Sequence, residues 1–160
     1  MPLIELETTI KANIDSCFDL SRNIDLHCVS TTGTKERAID GICTGLIGLN
    51  ETVTWEATHF YIRQRLTSKI TAYERPHHFK DEQVKGAFAY IKHDHFFKSL
   101  GDTTLMIDKF DYGVPYGIFG KLFDEWVLNN YLCRFLEERN RIIKDYAESG
   151  QLLDHYQISK

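Results

Sequence analysis

The sequence predicts an α+β fold in which a curved seven-stranded antiparallel sheet grips one long C-terminal helix. Residues 51–112 read as a succession of strands with period-two alternation, and residues 120–149 read as one helix that is apolar along a broad face. One strand and two short helices come before that meander, which sets the element order. A sheet with one apolar face and a helix with one apolar stripe bury each other, and a curved sheet leaves room for a cavity between them.

Residues 3–10 alternate Ile4, Leu6, Thr8 and Ile10 against Leu3, Glu5, Glu7 and Thr9, the pattern of a half-buried first strand. Asn13 can cap a short helix carrying Ile14, Cys17 and Phe18, and Asn23 can cap a second carrying Ile24, Leu26 and His27. Residues 35–40 form a second strand, which leads into residues 41–48, where three glycines argue for a loop. A flexible lid is one reading of it; its apolar residues Ile42, Leu46 and Ile47, with Leu49, could rim a cavity mouth, touch a membrane or pack on the terminal helix.

Residues 51–60 and 62–73 are the next two strands, joined near Tyr61 without Gly or Pro. Pro76 fixes a turn over residues 74–78, where His77 and His78 are expected in solvent, and strands follow at 79–85, 88–99 and 103–112. The apolar connection 113–120 then enters the last helix. That helix places Phe123, Trp126, Leu132, Phe135, Leu136, Ile142, Ile143 and Tyr146 on one stripe and sets Glu137 to pair with Arg141. Residues 1–150 are expected to form a single domain and 151–160 a C-terminal tail.

Composition excludes several classes. Charged residues are 26% and hydrophobic ones 42%, which separates the chain from disordered proteins. A net charge of −4 with scattered Lys and Arg offers no stripe for a phosphate backbone, so no nucleic acid is expected. Glu5 and Glu7 interrupt any signal peptide, no apolar run spans a bilayer, and a cytoplasmic location is expected. Four widely spaced cysteines form no Cys-x-x-Cys pair.

The element order, with Ile4-Glu-Leu-Glu-Thr-Thr-Ile10-x-Ala12, Glu74-Arg-Pro-x-x-Phe79, and Asp108-x-Phe110 ahead of Pro115-x-Gly117, resembles the START-like helix-grip superfamily called SRPBCC. That group includes lipid-transfer domains, the major birch-pollen allergen and polyketide cyclases. The resemblance implies a sheet curled around the terminal helix and a cavity for an apolar or amphipathic ligand. It carries over no catalytic residue.

Strand parity nominates the wall. His93 and His95 point to the same face as Ile91 and Phe97; His59 shares a face with Trp55, and Gln64 with Leu66. If Phe79 points inward, so do Asp81 and Gln83, and Asp108 accompanies Phe110. Phe123 and Trp126 of the helix complete the expected ligand-binding set. Polar groups among aromatic walls suit oriented binding of an amphipathic molecule. The same groups could instead satisfy one another, form a zinc site from His93, His95 and His59, or act as a His/Asp acid–base pair.

The leading expectation is therefore a binding or carrier protein for a hydrophobic small molecule, with no cofactor and no stable membrane insertion. A second is a cyclase-, dehydratase- or isomerase-like enzyme using the same polar residues. A third is a protein-interaction module with a collapsed cavity. The oligomeric state is left open.

Overall fold

Both short helices start where an asparagine side chain replaces a missing backbone partner. Asn13 accepts from the Ser16 amide at 2.8 Å and opens α1 (Ile14–Ser21); Asn23 accepts from Leu26 at 3.0 Å and opens α2 (Ile24–Ser30). Each such cap contributes about 1 kcal/mol, a large share for helices of two turns. They follow strand β1 (Leu3–Ile10) and precede β2 (Arg37–Gly41), β3 (Thr52–His59), β4 (Ile62–Glu74), β5 (His78–Lys85), β6 (Tyr90–Ser99) and β7 (Thr104–Gly113). Helix α3 (Asn129–Ser149) is the last described element and ends on Gly150 in the left-handed conformation. These elements come from a computed structural model that describes residues 3–115, 117 and 127–150.

The seven strands form one antiparallel sheet in the order β1-β7-β6-β5-β4-β3-β2, so β1 returns to pair with the last strand of the meander. Register shifts between Ala38 and Asp40, Thr67 and Ser68, and Ile70 and Ala72 each bend the local ladder, which lets the sheet curl. Helix α3 packs on β1, α1 and α2. At ~1.5 Å per residue its described length is roughly 31 Å. The expected start of this helix near residue 120 lies outside the described residues.

The core has two parts. Phe18 of α1 meets Tyr73, Phe79 and Phe97 at steep ring angles, each at 5.4 Å between centroids, and fixes the two short helices on the sheet. Ile4, Ile91 and Tyr112 pack with Leu128, Leu132 and Leu136 at the other end. Among the described residues no helix is long and apolar enough to cross a membrane.

Three local expectations need correction. The glycine-rich loop is clamped rather than lid-like: Ile24 donates to Gly45 O at 2.9 Å, Ile47 to Arg22 O at 3.2 Å, and the Arg22 guanidinium to Ile47 O at 2.9 Å. Arg141 pairs with Glu138 and Asp145 instead of Glu137. His78, expected in solvent, stacks on Phe96 and bonds Asp94 at 2.8 Å.

The turn joining β3 to β4 is unusual. Phe60 and Tyr61 have φ of 49° and 64°, a conformation that two-residue hairpins normally assign to Asn-Gly. Tyr61 is fully exposed, while Phe60 packs on Tyr131 with centroids 4.7 Å apart.

Candidate functional site

Between the sheet's inner face and α3 lies a cavity of about 390 Å³, so the expectation of a collapsed interior is not met. Trp55, Leu66, Phe88, Phe110, Leu132 and Phe135 supply apolar wall. Of the residues nominated by strand parity, Trp55, His59, Gln64, Leu66, Asp81, His93, His95 and Phe110 all line it. Phe123 and Trp126 lie outside the described residues. Gln83, opposite Ser68 in the pairing of β5 with β4, is not among the lining residues. Its amide donates to Phe88 O at 2.9 Å and closes the β5–β6 turn.

The polar wall residues fall into two groups. The first is written into strand register, since Asp81 of β5 faces His93 of β6, and His95 of β6 faces Asp108 of β7. Asp108, with no exposed surface, places Oδ1 2.9 Å from both His93 Nε2 and His95 Nδ1. The His93 contact is an aligned hydrogen bond; the His95 contact is close but off-line, leaving an electrostatic attraction. On the cavity side, Asp81 Oδ1 is 3.1 Å from His95 Nε2 and 3.9 Å from His93 Nδ1. The two imidazoles lie 3.7 Å apart, with Phe79 stacked on the outer face of the pair at 4.2 Å from His95.

Helix α3 completes this group with a polar pair inside its buried stripe. Asn140 donates to Asp108 Oδ2 at 2.7 Å, and Arg139 lies 3.6 Å from Asp108 Oδ1 while donating to Ser21 O at 3.0 Å. Burial alone would raise both carboxyl pKa values, but the histidines reverse this, holding Asp81 below and Asp108 well below the usual range. Burial and then the neighbouring His95 push His93 down, so it is neutral at pH 7. For His95 burial also opposes the charge, yet the contacts with Asp108 and Asp81 outweigh it and raise its pKa. The two carboxylates thus face His95, whose pKa they raise, and the Arg139 guanidinium.

The second group sits beside β3. Glu36 Oε2 is 3.3 Å from His27 Nε2, both atoms buried and without an aligned hydrogen bond. His27 stacks on Trp55 at 4.2 Å, and His59 Nδ1 is 2.7 Å from the Tyr131 hydroxyl. Burial would raise the Glu36 pKa, but His27 lowers it, so the carboxylate stays charged inside the wall. Burial lowers the His59 pKa. His59 is not brought together with His93 and His95. Its strand is three places from β6 in the sheet, about 14 Å away at the usual strand spacing. Asp81 occupies the place beside the histidine pair.

Glu36, Arg139 and Asn140 escape strand and helix patterning. Ile39, the one large apolar residue in β2, argues for the opposite face to Glu36, but it is the bulged residue of that strand. Arg139 and Asn140 look like a wet helix face, although they fall three and four residues after Leu136, on its side of the helix.

A curled antiparallel sheet closed by a C-terminal helix over an apolar cavity is the helix-grip architecture of START-like proteins. Solved structures agree. A START superfamily protein from Mycobacterium smegmatis superposes with a TM-score of 0.70 at 11% identity, over 92% of this chain and 97% of that one. A protein from Thermus thermophilus gives 0.69 at 15% identity, over 89% and 97%. Major latex-like protein 151 from Panax ginseng gives 0.66 at 18% identity, over 91% and 97%. No protein-family model matches the sequence, and comparison with curated proteins finds no match. At these identities the likeness establishes the fold.

Proposed function

We propose that this chain is a cytoplasmic binding or carrier protein for a hydrophobic or amphipathic small molecule. One observation carries the reading: an apolar cavity of about 390 Å³ with buried charged groups on its wall, within the size range of small-molecule sites. Trp55, Leu66 and Phe110 hold the apolar body of the ligand. Asp81, His93 and His95 orient a polar end, while His59 and Gln64 provide a second polar contact. The four cysteines are unpaired, which suits a reducing compartment. The M. smegmatis neighbour, named for the START superfamily, supports the reading at the level of fold.

Native mass spectrometry of freshly purified protein, followed by organic extraction, should show a lipid-like adduct. Leu66→Trp and Leu136→Trp, which put bulk into the cavity, should abolish the adduct without unfolding the chain. A wild-type protein with no adduct and no affinity for fatty acids, sterols or polyketides would sink the proposal.

A second reading is favoured by His93, whose Nε2 is held by Asp108 while the ring lines the cavity. That is an arrangement for proton transfer in a cyclase-, dehydratase- or isomerase-like reaction. His93→Ala would then abolish turnover of the extracted molecule while leaving its affinity intact; equal loss of both returns to binding.

A further inference from the structure

We propose that Asp81, His93 and His95 form a site for a divalent first-row transition metal, open to the cavity and backed by Asp108. The metal-binding inference stands on the geometry of these four residues; only the nature of what fills the open coordination position rests on the ligand-binding reading above.

Spacing comes first. Asp81 Oδ1 lies 3.1 Å from His95 Nε2 and 3.9 Å from His93 Nδ1, and the three donor atoms all fall within 4.8 Å of one another. Ligands at about 2.1 Å from a tetrahedral ion stand roughly 3.4 Å apart. One separation is slightly short of that value and the other slightly long. A change of a few tenths of an ångström brings each of these two pairs to the separation that a shared ion requires.

The far side of each ring is the second observation. Metal-bound imidazoles almost always present their other nitrogen to a carboxylate or carbonyl, which sets the tautomer and aims the ring. Here one oxygen of Asp108 is hydrogen-bonded to His93 Nε2 at 2.9 Å and lies equally close to His95 Nδ1, off the line of a hydrogen bond. Asp108 is in turn held by Asn140 at 2.7 Å. The histidines consequently aim His93 Nδ1 and His95 Nε2 toward the same carboxylate.

The placement of the groups separates ligand from support. Asp81, His93 and His95 all line the cavity, whereas Asp108 is fully buried behind them. A network built for stability alone has no need of a second carboxylate on the open side. In the metal-free protein a proton on His95 Nε2 occupies the line to Asp81; a cation placed there takes over its attraction to the carboxylate. Two imidazoles and one carboxylate suit zinc, iron, cobalt or manganese. Three protein ligands leave at least one position facing the cavity, where a carbonyl, carboxylate or hydroxyl of the occupant would bind.

The test uses the whole chain, stripped with chelator and dialysed against micromolar Co²⁺, Zn²⁺ or Mn²⁺, with bound metal measured by elemental analysis. One equivalent per chain is expected, with a visible Co²⁺ band characteristic of a nitrogen–oxygen site. Asp81→Asn and His93→Ala should lose it, Asp108→Asn should weaken it about 10- to 100-fold, and His77→Ala at the surface should leave it unchanged. Circular dichroism checks that each variant folds, and the wild-type titration decides even if a variant does not. No stoichiometric metal on the wild type, or full binding by both Asp81→Asn and His93→Ala, overturns the proposal. Metal-free protein that still carries an extractable ligand would remove the metal site but leave the cavity reading; metal binding without any apolar ligand would do the reverse.

Discussion

Replacing Asp108 by Asn removes one charge from the interior with almost no change of shape, and the consequence can be worked from distances. At a pH where His95 is protonated, the carboxylates of Asp81 and Asp108 face two cations, His95 and Arg139; burial opposes that form, but both carboxylates favour it by raising the His95 pKa. Asp108 Oδ1 is 2.9 Å from His95 and 3.6 Å from Arg139. With an effective dielectric constant of ~20 these attractions are about 6 and 5 kcal/mol. Relief of the carboxylate's own desolvation, several kcal/mol, offsets much of that, leaving a net loss of roughly 3–5 kcal/mol. Urea denaturation followed by tryptophan fluorescence and circular dichroism should therefore show a midpoint lower by about 1–3 M, taking a slope near 2 kcal/mol/M. Charge balance supplies a sharper check. Asp108→Asn leaves one positive charge in excess, Arg139→Gln leaves one negative, and the double variant is balanced again. It should be less destabilised than the sum of the singles by at least ~1 kcal/mol. If Asp108→Asn shifts stability by under ~0.5 kcal/mol, or if the pair is strictly additive, the buried charges are not coupled as described.

Three further outcomes are expected. His59 has its pKa lowered by burial, so its neutral form stabilises the fold above the unfolded value near ~6.5, and that contribution is lost as pH falls through the lower folded value. His59→Gln should therefore flatten the loss of stability between about pH 7 and pH 5, by at most ~1.4 kcal/mol per pH unit; an unchanged profile in pH-dependent urea melts would refute this. The double substitution Phe60→Asn/Tyr61→Gly should raise stability by about 1–2 kcal/mol in the same assay by relieving two left-handed bulky residues, less what is lost with the Phe60–Tyr131 contact. Gly41→Ala should cost about 2 kcal/mol or more, since a Cβ there would overlap the Thr52 carbonyl and Gly41 has a φ of 74°; a variant melting like wild type would contradict the turn geometry.

Much of this site is legible in alternating residues, because a strand admits only two faces. His93, His95, Asp108 and Phe110 follow at once from that constraint, and register then decides which carboxylate meets which ring. Gln83 keeps its place opposite Ser68, but its amide is taken up by Phe88 O at the β5–β6 turn, a partner that alternation does not reveal. The separation of His59 from the other histidines is not legible at all from parity, since parity says which face a side chain shares and nothing about distance across the sheet. Arg139 and Asn140 are hidden for another reason. A charged residue within an apolar helical stripe reads as solvent-facing unless its partner is known, and theirs lies 32 residues earlier in the case of Asn140 and Asp108.

The hydrogen bonds from Arg139 and Asn140 also act as a key for the terminal helix. Apolar packing alone tolerates sliding of a helix along its axis, because one leucine replaces another after a turn. Here a slip by one turn, about 5.4 Å, would tear Asn140 from Asp108 and Arg139 from Ser21 together. The middle of α3 is thus locked to the sheet by the same carboxylate that positions the two histidines.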